Sequence, residues 1–329
     1  MLSGLGVSLP QTILTSSEID RRLGQHEGVV FRTSGVAARP ILSGTESQEG
    51  MAAKAAVLAL EEANLKPADL DLLLFAAAVG RQPIPATAPL VKRELGAEGL
   101  RFPAYDINAT CLSALAALDL AAMHIGAGRA RHVLVVASEV ASRALPWATD
   151  PATASLFGDG AAAMVLSAAD TGLPGPRFGG FLMETYAEGY EACQLPAGGT
   201  RLNFHDDHEV FARNAFFQMD GRKLYKLSSA VMPGFLDRLL AGVGWSRRDV
   251  DLVVPHQASP HALAHISRRC GFDRDKVFDC VAGMGNLVAA SLPTALHLAR
   301  ERGRIEPGMK VLLIGTSAGV SLGGAVLQA

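Results

Sequence analysis

Short, uninterrupted apolar runs alternate along the chain with longer segments whose apolar residues recur at helical spacing. Residues 51–64 (MAAKAAVLALEEAN) and 111–126 read as helices, and 70–78 (LDLLLFAAA) and 132–138 (HVLVVAS) as strands. Strands with no polar face are buried on both sides, and their alternation with helices predicts an α/β fold with a mostly parallel sheet. The 111–126 segment is apolar on nearly every face, which predicts a buried central helix. Asn108 or Thr110 is placed as its N-cap, and Gly126 and Gly128 at its end.

The pattern also repeats. DLDLLLFAAA from Asp69 is echoed by DVDLVVPHQA from Asp249, an offset of 180 residues. Asn108, its long helix and the strand VLVVAS are echoed by Asn286, a second long helix and VLLIGTS, at an offset of 178. GDGAAAMVL (158–166) pairs more weakly with LGGAVL (322–327), the first half carrying an extra loop over about 141–156. Two homologous α/β halves, 1–170 and 171–329, packed as one body, are therefore expected.

Composition supports a large core: of 329 residues, 49% are apolar and 19% charged, and 34 glycines suit closely packed helices. The net charge of −2 excludes a globally basic nucleic-acid binder. It hides a division, with 13 basic and 17 acidic residues in 1–170 but 17 and 15 in 171–329. The four cysteines form no CxxC pair, so neither a disulfide framework nor a zinc site is expected, and a reducing, cytoplasmic setting is. No basic segment precedes the first apolar residues and no apolar run is long enough to span a bilayer, so neither secretion nor a membrane partner is expected.

Cys111 falls in the first turn of the buried helix, where unpaired N–H groups and the helix dipole would lower a thiol pKa. The alternative is a small buried hydrophobe. His256 stands at the carboxyl end of the strand DLVV, where α/β folds mount ligand and catalytic groups, or is an ordinary turn histidine. Asn286 reads alone as an N-cap. The repeat instead brings it opposite Cys111, and His256 then completes a Cys/His/Asn set for nucleophilic catalysis. His261 with His265, and His205 with His208, lack the rest of a metal pattern, so no metal is expected. Gly158-Asp159-Gly160 reads as a turn behind the site, and Cys193, Cys270 and Cys280 as structural.

In the order DINATC (106–111), GDGAAAMVL, PHQAS (255–259), GNLVAAS (285–291) and GTSAGVSLGG (315–324), the chain resembles the β-ketoacyl-acyl-carrier-protein synthase III family of thiolase-fold condensing enzymes. The likeness runs from RTSG (32–35) to the C-terminus. It implies a thiolase-like fold whose duplicated halves form a layered α-β-α-β-α body, and an acyltransferase of fatty-acid biosynthesis. The family nucleophile falls on Cys111, and its histidine and asparagine fall on His256 and Asn286. The oxyanion-binding amides would be those of Cys111 and Ala318. A dimer contact that also closes the partner's acyl pocket would lie around Ile84, Pro85, Ala86 and Thr87. Acyl carrier protein would dock on Lys226, Arg268 and Arg269, with His261 replacing a usual arginine. Arg222, Lys223, Arg247 and Arg248 could extend that patch, though the last four read better as solvated faces. Substrates would be acyl-coenzyme A or acyl carrier protein, then malonyl carrier protein, with no cofactor. The protein would be a cytoplasmic homodimer.

Departures from the family pattern bear on the substrate. Ser259 replaces an asparagine, Ser317-Ala318-Gly319 replaces three glycines, and Thr316 stands where an aromatic is common. Gly28 and Pro151 occupy the positions of a tryptophan and an arginine that sandwich the coenzyme A adenine, which leaves the acyl donor open. Ile84 stands where head-to-head condensing relatives carry a glutamate, which counts against that activity. The altered PHQAS and C-terminal loop leave open acyl transfer to oxygen or nitrogen without carbon–carbon bond formation. A thiol hydrolase would lack the repeat, and an idle carrier-protein-binding subunit would not keep the triad.

Overall fold

The computed structural model describes residues 1–329. The first half contributes strands β1 (Leu2–Ser8), β2 (Leu72–Ala76), β3 (Ala104–Ile107), β4 (His132–Val140) and β5 (Asp159–Ser167). The second contributes β6 (Arg177–Thr185), β7 (Leu252–Pro255), β8 (Lys310–Ser317) and β9 (Ser321–Gln328). They form a five-stranded sheet in the order β1-β5-β4-β2-β3 and a four-stranded sheet in the order β6-β9-β8-β7. The orders superpose under the repeat. Only the counterpart of β3 is missing, reduced to a single parallel bridge between Val253 and Val277.

The sheets are mixed rather than mostly parallel. β2 runs parallel to β3 and β4, and β7 to β8, but β1, β5, β6 and β9 pair antiparallel. For β8 and β9 connection length is the cause: only Ala318–Val320 separate them, and a short link can return a strand only antiparallel.

Five helices complete the layers: α1 (Gln48–Glu62), α2 (Ser113–Gly126), α3 (Gly221–Ala241), α4 (Pro260–Cys270) and α5 (Ser291–Glu301). Alternate strand residues face opposite layers. In β2, Leu72 and Leu74 join the core around α2 and α5, while Leu73 and Phe75 pack towards α1. In β8, Val311 and Leu313 face the same central helices, while Leu312 and Ile314 face α3 and α4. The order is α1, first sheet, α2 with α5, second sheet, α3 with α4, which is the expected α-β-α-β-α body. Small residues make the layers close. A Cβ on Gly4 or Gly6 of β1 would collide with the backbone of Ala59 or Ala55 in α1. No helix is long and apolar enough to cross a membrane.

Candidate active site

Neither Asn108 nor Thr110 caps α2, which starts at Ser113 after a 3-10 turn over Thr110–Leu112. The reason is a tighter local structure. Asn108 Oδ1 accepts the Thr110 N–H at 2.9 Å, Ser113 Oγ accepts the Ala109 N–H at 2.9 Å, and Thr110 is left-handed at φ 52°. The second half repeats this atom for atom. Asn286 Oδ1 accepts the Val288 N–H at 2.8 Å, Ser291 Oγ accepts the Leu287 N–H at 2.8 Å, and Val288 has φ 51°. A β-branched residue in that region costs of the order of 1–3 kcal/mol and persists only where its surroundings fix it. The two turns pack against each other, which brings the Cys111 and Asn286 segments together at the entrances of α2 and α5.

Asn286 is also tied to the first half through its backbone: its N–H donates to Leu156 O at 2.7 Å, and its carbonyl accepts from Gly158 at 3.1 Å. The extra 141–156 loop and Gly158 thus serve the site from behind, although Asp159 and Gly160 open β5 rather than forming the expected turn. Ser291 Oγ donates to Asn286 Oδ1 at 3.2 Å, so both side-chain bonds use the oxygen and leave Nδ2 as a donor for another group.

His256 follows β7 directly, its N–H donating to Ile314 O at 2.8 Å. It comes against the Cys111 turn across Gly315, where an added Cβ would stand 2.7 Å from His256 Cβ and 3.0 Å from Leu112 Cδ2. Thr110 Oγ1 reaches Ala318 O at 3.5 Å, placing the C-terminal loop beside the same turn. The N–H groups of Cys111 and Ala318 have no acceptor within the chain. Ser259 accepts the Ala262 N–H at 3.2 Å and is the N-cap of α4. Serine is among the residues favoured in that role.

Electrostatics reverse one expectation. Burial pushes the Cys111 thiol up, with Cys193 and Glu139 adding to the rise, rather than the dipole drawing it down. The second half covers the helix entrance, and desolvation outweighs the dipole of one short turn. Burial also lowers His256 to about 4, so its imidazole is neutral, and its buried Nδ1 has no partner. Cys193 is a free, half-buried cysteine. Cys270 and Cys280 do sit in the cores.

Glu139, at the end of β4, escapes the sequence reading. It is buried, its carboxyl is raised by desolvation to about 8, and Oε1 accepts the Ala78 N–H at 2.6 Å. The only signal in the sequence is one charge in the otherwise apolar HVLVVASEV.

The remaining predicted residues are dispersed. Ile84 is 86% exposed, whereas Thr87 is buried, its hydroxyl accepting the Arg81 N–H and its own N–H donating to Asp106. Thr87 therefore braces the loop from inside rather than facing outward. Lys226 on α3 and Arg268 and Arg269 on α4 are exposed on two packed helices. Arg247 is committed to Asp237. His265 is bonded to Ser229 and rests on Tyr225, and His208 stacks on Phe204. Gly28 precedes a short helix at 29–34, and Pro151 opens another at 151–154.

Comparison with known proteins is consistent across the whole chain. Residues 105–186 match the family described as 3-oxoacyl-[acyl-carrier-protein (ACP)] synthase III, and residues 240–329 match its C-terminal counterpart. A β-ketoacyl-[acyl-carrier-protein] synthase III of Nitratidesulfovibrio vulgaris is 35% identical, covering 100% of this chain and 98% of that protein. A Streptomyces coelicolor relative, β-ketoacyl-[acyl-carrier-protein] synthase III 3, is 33% identical over 99% of this chain and 96% of its own. The crystal structure of the Aquifex aeolicus 3-oxoacyl-[acyl-carrier-protein] synthase III superposes with a TM-score of 0.87 at 31% identity, covering 100% of this chain and 99% of that one.

Proposed function

The chain belongs to the 3-oxoacyl-[acyl-carrier-protein] synthase III family, and from that premise we propose the role of each residue in a decarboxylative condensation. The overall reaction is that of a 3-oxoacyl-carrier-protein synthase: an acyl group is loaded on the enzyme and joined to a malonyl unit with loss of CO2.

Cys111 Sγ attacks the acyl thioester carbonyl. Because the thiol is raised by burial, its proton leaves with the attack, and neutral His256 is the base in reach of that turn. The N–H groups of Cys111 and Ala318, which have no internal acceptor, hold the tetrahedral oxyanion. Collapse expels the carrier thiol, which takes the proton back from His256, and leaves acyl-Cys111.

Malonyl carrier protein then presents its thioester oxygen to the Asn286 Nδ2 donor and to a ring N–H of neutral His256. Loss of CO2 places negative charge on that oxygen, where the two donors stabilise it. The enolate carbon attacks acyl-Cys111, the C–S bond breaks, and the Cys111 thiolate takes from solvent the one proton that the overall reaction consumes. Both carbon centres are activated as thioesters, so the scheme uses no cofactor.

A homodimer completes the pocket in this reading. β3 is an open sheet edge beside the loop bearing exposed Ile84, so a second copy pairing there would carry that side chain into its partner's site. Acidic acyl carrier protein docks on Lys226, Arg268 and Arg269, and the four unbridged cysteines suit a cytoplasmic enzyme. Coenzyme A and carrier protein both remain donors to test.

The observation that carries the proposal is the pair of matched turns that set Cys111 against Asn286, with His256 held on the same surface. Intact-mass measurement of acyl-Cys111, followed by CO2 release from malonyl carrier protein, tests it. Wild-type protein is expected to do both and Cys111→Ala neither. A stable acyl adduct on Cys111→Ala, or acylation without CO2 release, would overturn it.

A further inference from the structure

We propose that Asp106 is a positioning residue that sets how far an acyl chain can reach, by holding the 78–88 loop to the strand that leads into the Cys111 turn. The inference rests on the reading above in which the Ile84 tip of that loop closes the partner's acyl pocket.

Both ends of the loop hang from one stretch of chain. At its start, Ala78 O accepts from Asn108 Nδ2 at 2.9 Å. At its end, the two oxygens of Asp106 accept the N–H groups of Thr87 and Ala88, at 2.8 and 2.7 Å. Asp106 lies in β3, two residues before Asn108, whose Oδ1 closes the Cys111 turn. Thr87 precedes a short helix, Ala88–Glu94, and a threonine there would ordinarily cap the helix with its own hydroxyl. That hydroxyl is instead turned back to the Arg81 N–H at 3.1 Å, which closes the neck of the loop, and Asp106 supplies the cap. The neck is tight, since a Cβ on Gly80 would stand 2.8 Å from Thr87 Oγ1. The first leg is also tied to the start of α1, with Val79 O accepting from Gln48 Nε2 at 2.9 Å and Arg81 paired with buried Glu49.

Nothing comparable holds the tip. Its hydrogen bond is internal, from Gln82 Nε2 to Ile84 O at 2.8 Å, and Ile84 itself is exposed. A concavity of about 340 Å³, lined by the loop and the short helix, leaves the tip room to shift. The position of Ile84 relative to the Cys111 strand is therefore fixed at the feet of the loop. In a dimer paired along β3, the span from one nucleophile to the side chain that closes its pocket runs through the partner's β3 and the carboxylate on it. That carboxylate accepts both N–H groups of the second foot, one on each oxygen. Asparagine of the same shape would turn its NH2 group on one of them and release it.

The test is Asp106→Asn, alone and combined with Ile84→Ala, in the full-length protein, with acyl carrier proteins of graded chain length as donors and adduct formation on Cys111 as the readout. The ratio of acylation rate constants between the best donor and one about four carbons longer is expected to fall at least about tenfold in Asp106→Asn, with the best donor itself within about threefold of wild type. A purely structural role would slow both donors alike. Ile84→Ala should lower the same ratio, and because Asp106 acts through Ile84, adding Asp106→Asn should then cost less than about twofold more. Thr87→Val, which opens the neck but leaves the Asp106 contacts in place, should lower the ratio by about threefold. Amide exchange over 79–88, which requires no turnover, should rise at least about tenfold in Asp106→Asn. Loss of discrimination in Ile84→Ala but not in Asp106→Asn, an equal effect of Asp106→Asn in both backgrounds, or unchanged exchange would each overturn the inference and leave the pocket reading intact. Full discrimination in both single variants would refute the pocket reading and the inference with it. Absence of any Cys111 adduct in wild type would instead refute the proposed function, and the exchange measurement would still decide whether Asp106 holds the loop.

Discussion

Asn108 and Asn286, 178 residues apart, hold the same turn in the two halves: each Oδ1 accepts the N–H two residues on, at 2.9 and 2.8 Å. They differ in what the amide nitrogen does. Asn108 Nδ2 is spent on Ala78 O, while Asn286 Nδ2 is left for a ligand. Asn286→Ala removes that donor, and the expected loss of condensation is about 10²–10³-fold, as for deletion of one oxyanion donor. Acylation of Cys111 should persist within about tenfold, because its oxyanion site uses backbone N–H groups. Asn108→Ala should slow both half-reactions together, since it loosens the turn that bears the nucleophile. CO2 release and intact-mass time courses on the two variants check the contrast.

The same pair shows how far the sequence reaches. The repeat is readable because a left-handed turn closed by Asn and Ser needs the same residues at the same spacing in both halves. It yields the two halves, the layers and the Cys111/Asn286 pairing. Strand direction is not readable in the same way, because an apolar run looks alike whether it is entered from a helix or from the three-residue link before β9. The thiol of Cys111 fails for a related reason: the dipole is local and visible in the sequence, whereas the desolvation that overrides it comes from residues on the other half. Glu139 is hidden because the N–H group it accepts, that of Ala78, lies on a different strand end, far away in the chain.

Burial of His256 fixes the sign of a pH effect. Its folded value of about 4 lies below the ordinary 6.5, so between these values the unfolded chain binds more protons and stability falls as pH falls. Below pH 4 the full cost of the buried imidazolium is present, of the order of 3 kcal/mol. Thermal melts from pH 7 to 4 should therefore drop more steeply for wild type than for His256→Gln. Condensation should show no loss attributable to this group near pH 6.5. A wild-type profile parallel to that of the variant would contradict the neutral, desolvated imidazole. The raised Cys111 thiol predicts, in addition, slow alkylation by iodoacetamide at neutral pH relative to a free cysteine.

Gly315 sets the spacing between the base and the nucleophile's turn. An alanine there would place its Cβ 2.7 Å from His256 Cβ, which is fixed to its backbone, and 3.0 Å from Leu112 Cδ2, whose side chain is buried. Gly315→Ala should destabilise the fold by about 1–3 kcal/mol through overpacking. It should also reduce both acylation and condensation, since both use His256. Calorimetry and the two half-reaction rates check this. Normal rates at a lowered melting temperature would show that the spacing serves packing alone.

Docking of an acidic carrier on α3 and α4 predicts a charge effect separable from chemistry. Lys226, Arg268 and Arg269 are exposed and take part in no ion pair within the chain, so reversing them should leave the fold and the buried site intact. Lys226→Glu combined with Arg268→Glu and Arg269→Glu should raise KM for malonyl carrier protein at least about tenfold at low salt, with kcat within about twofold. The difference from wild type should shrink as salt rises from about 0.05 to 0.5 M, because exposed charges are screened over a Debye length. Acylation from a small acyl-coenzyme A should be unchanged, since that donor does not need the helix face. Steady-state kinetics at two salt concentrations with both donors provide the measurement. An unchanged KM for the carrier protein would move its docking surface elsewhere on the molecule.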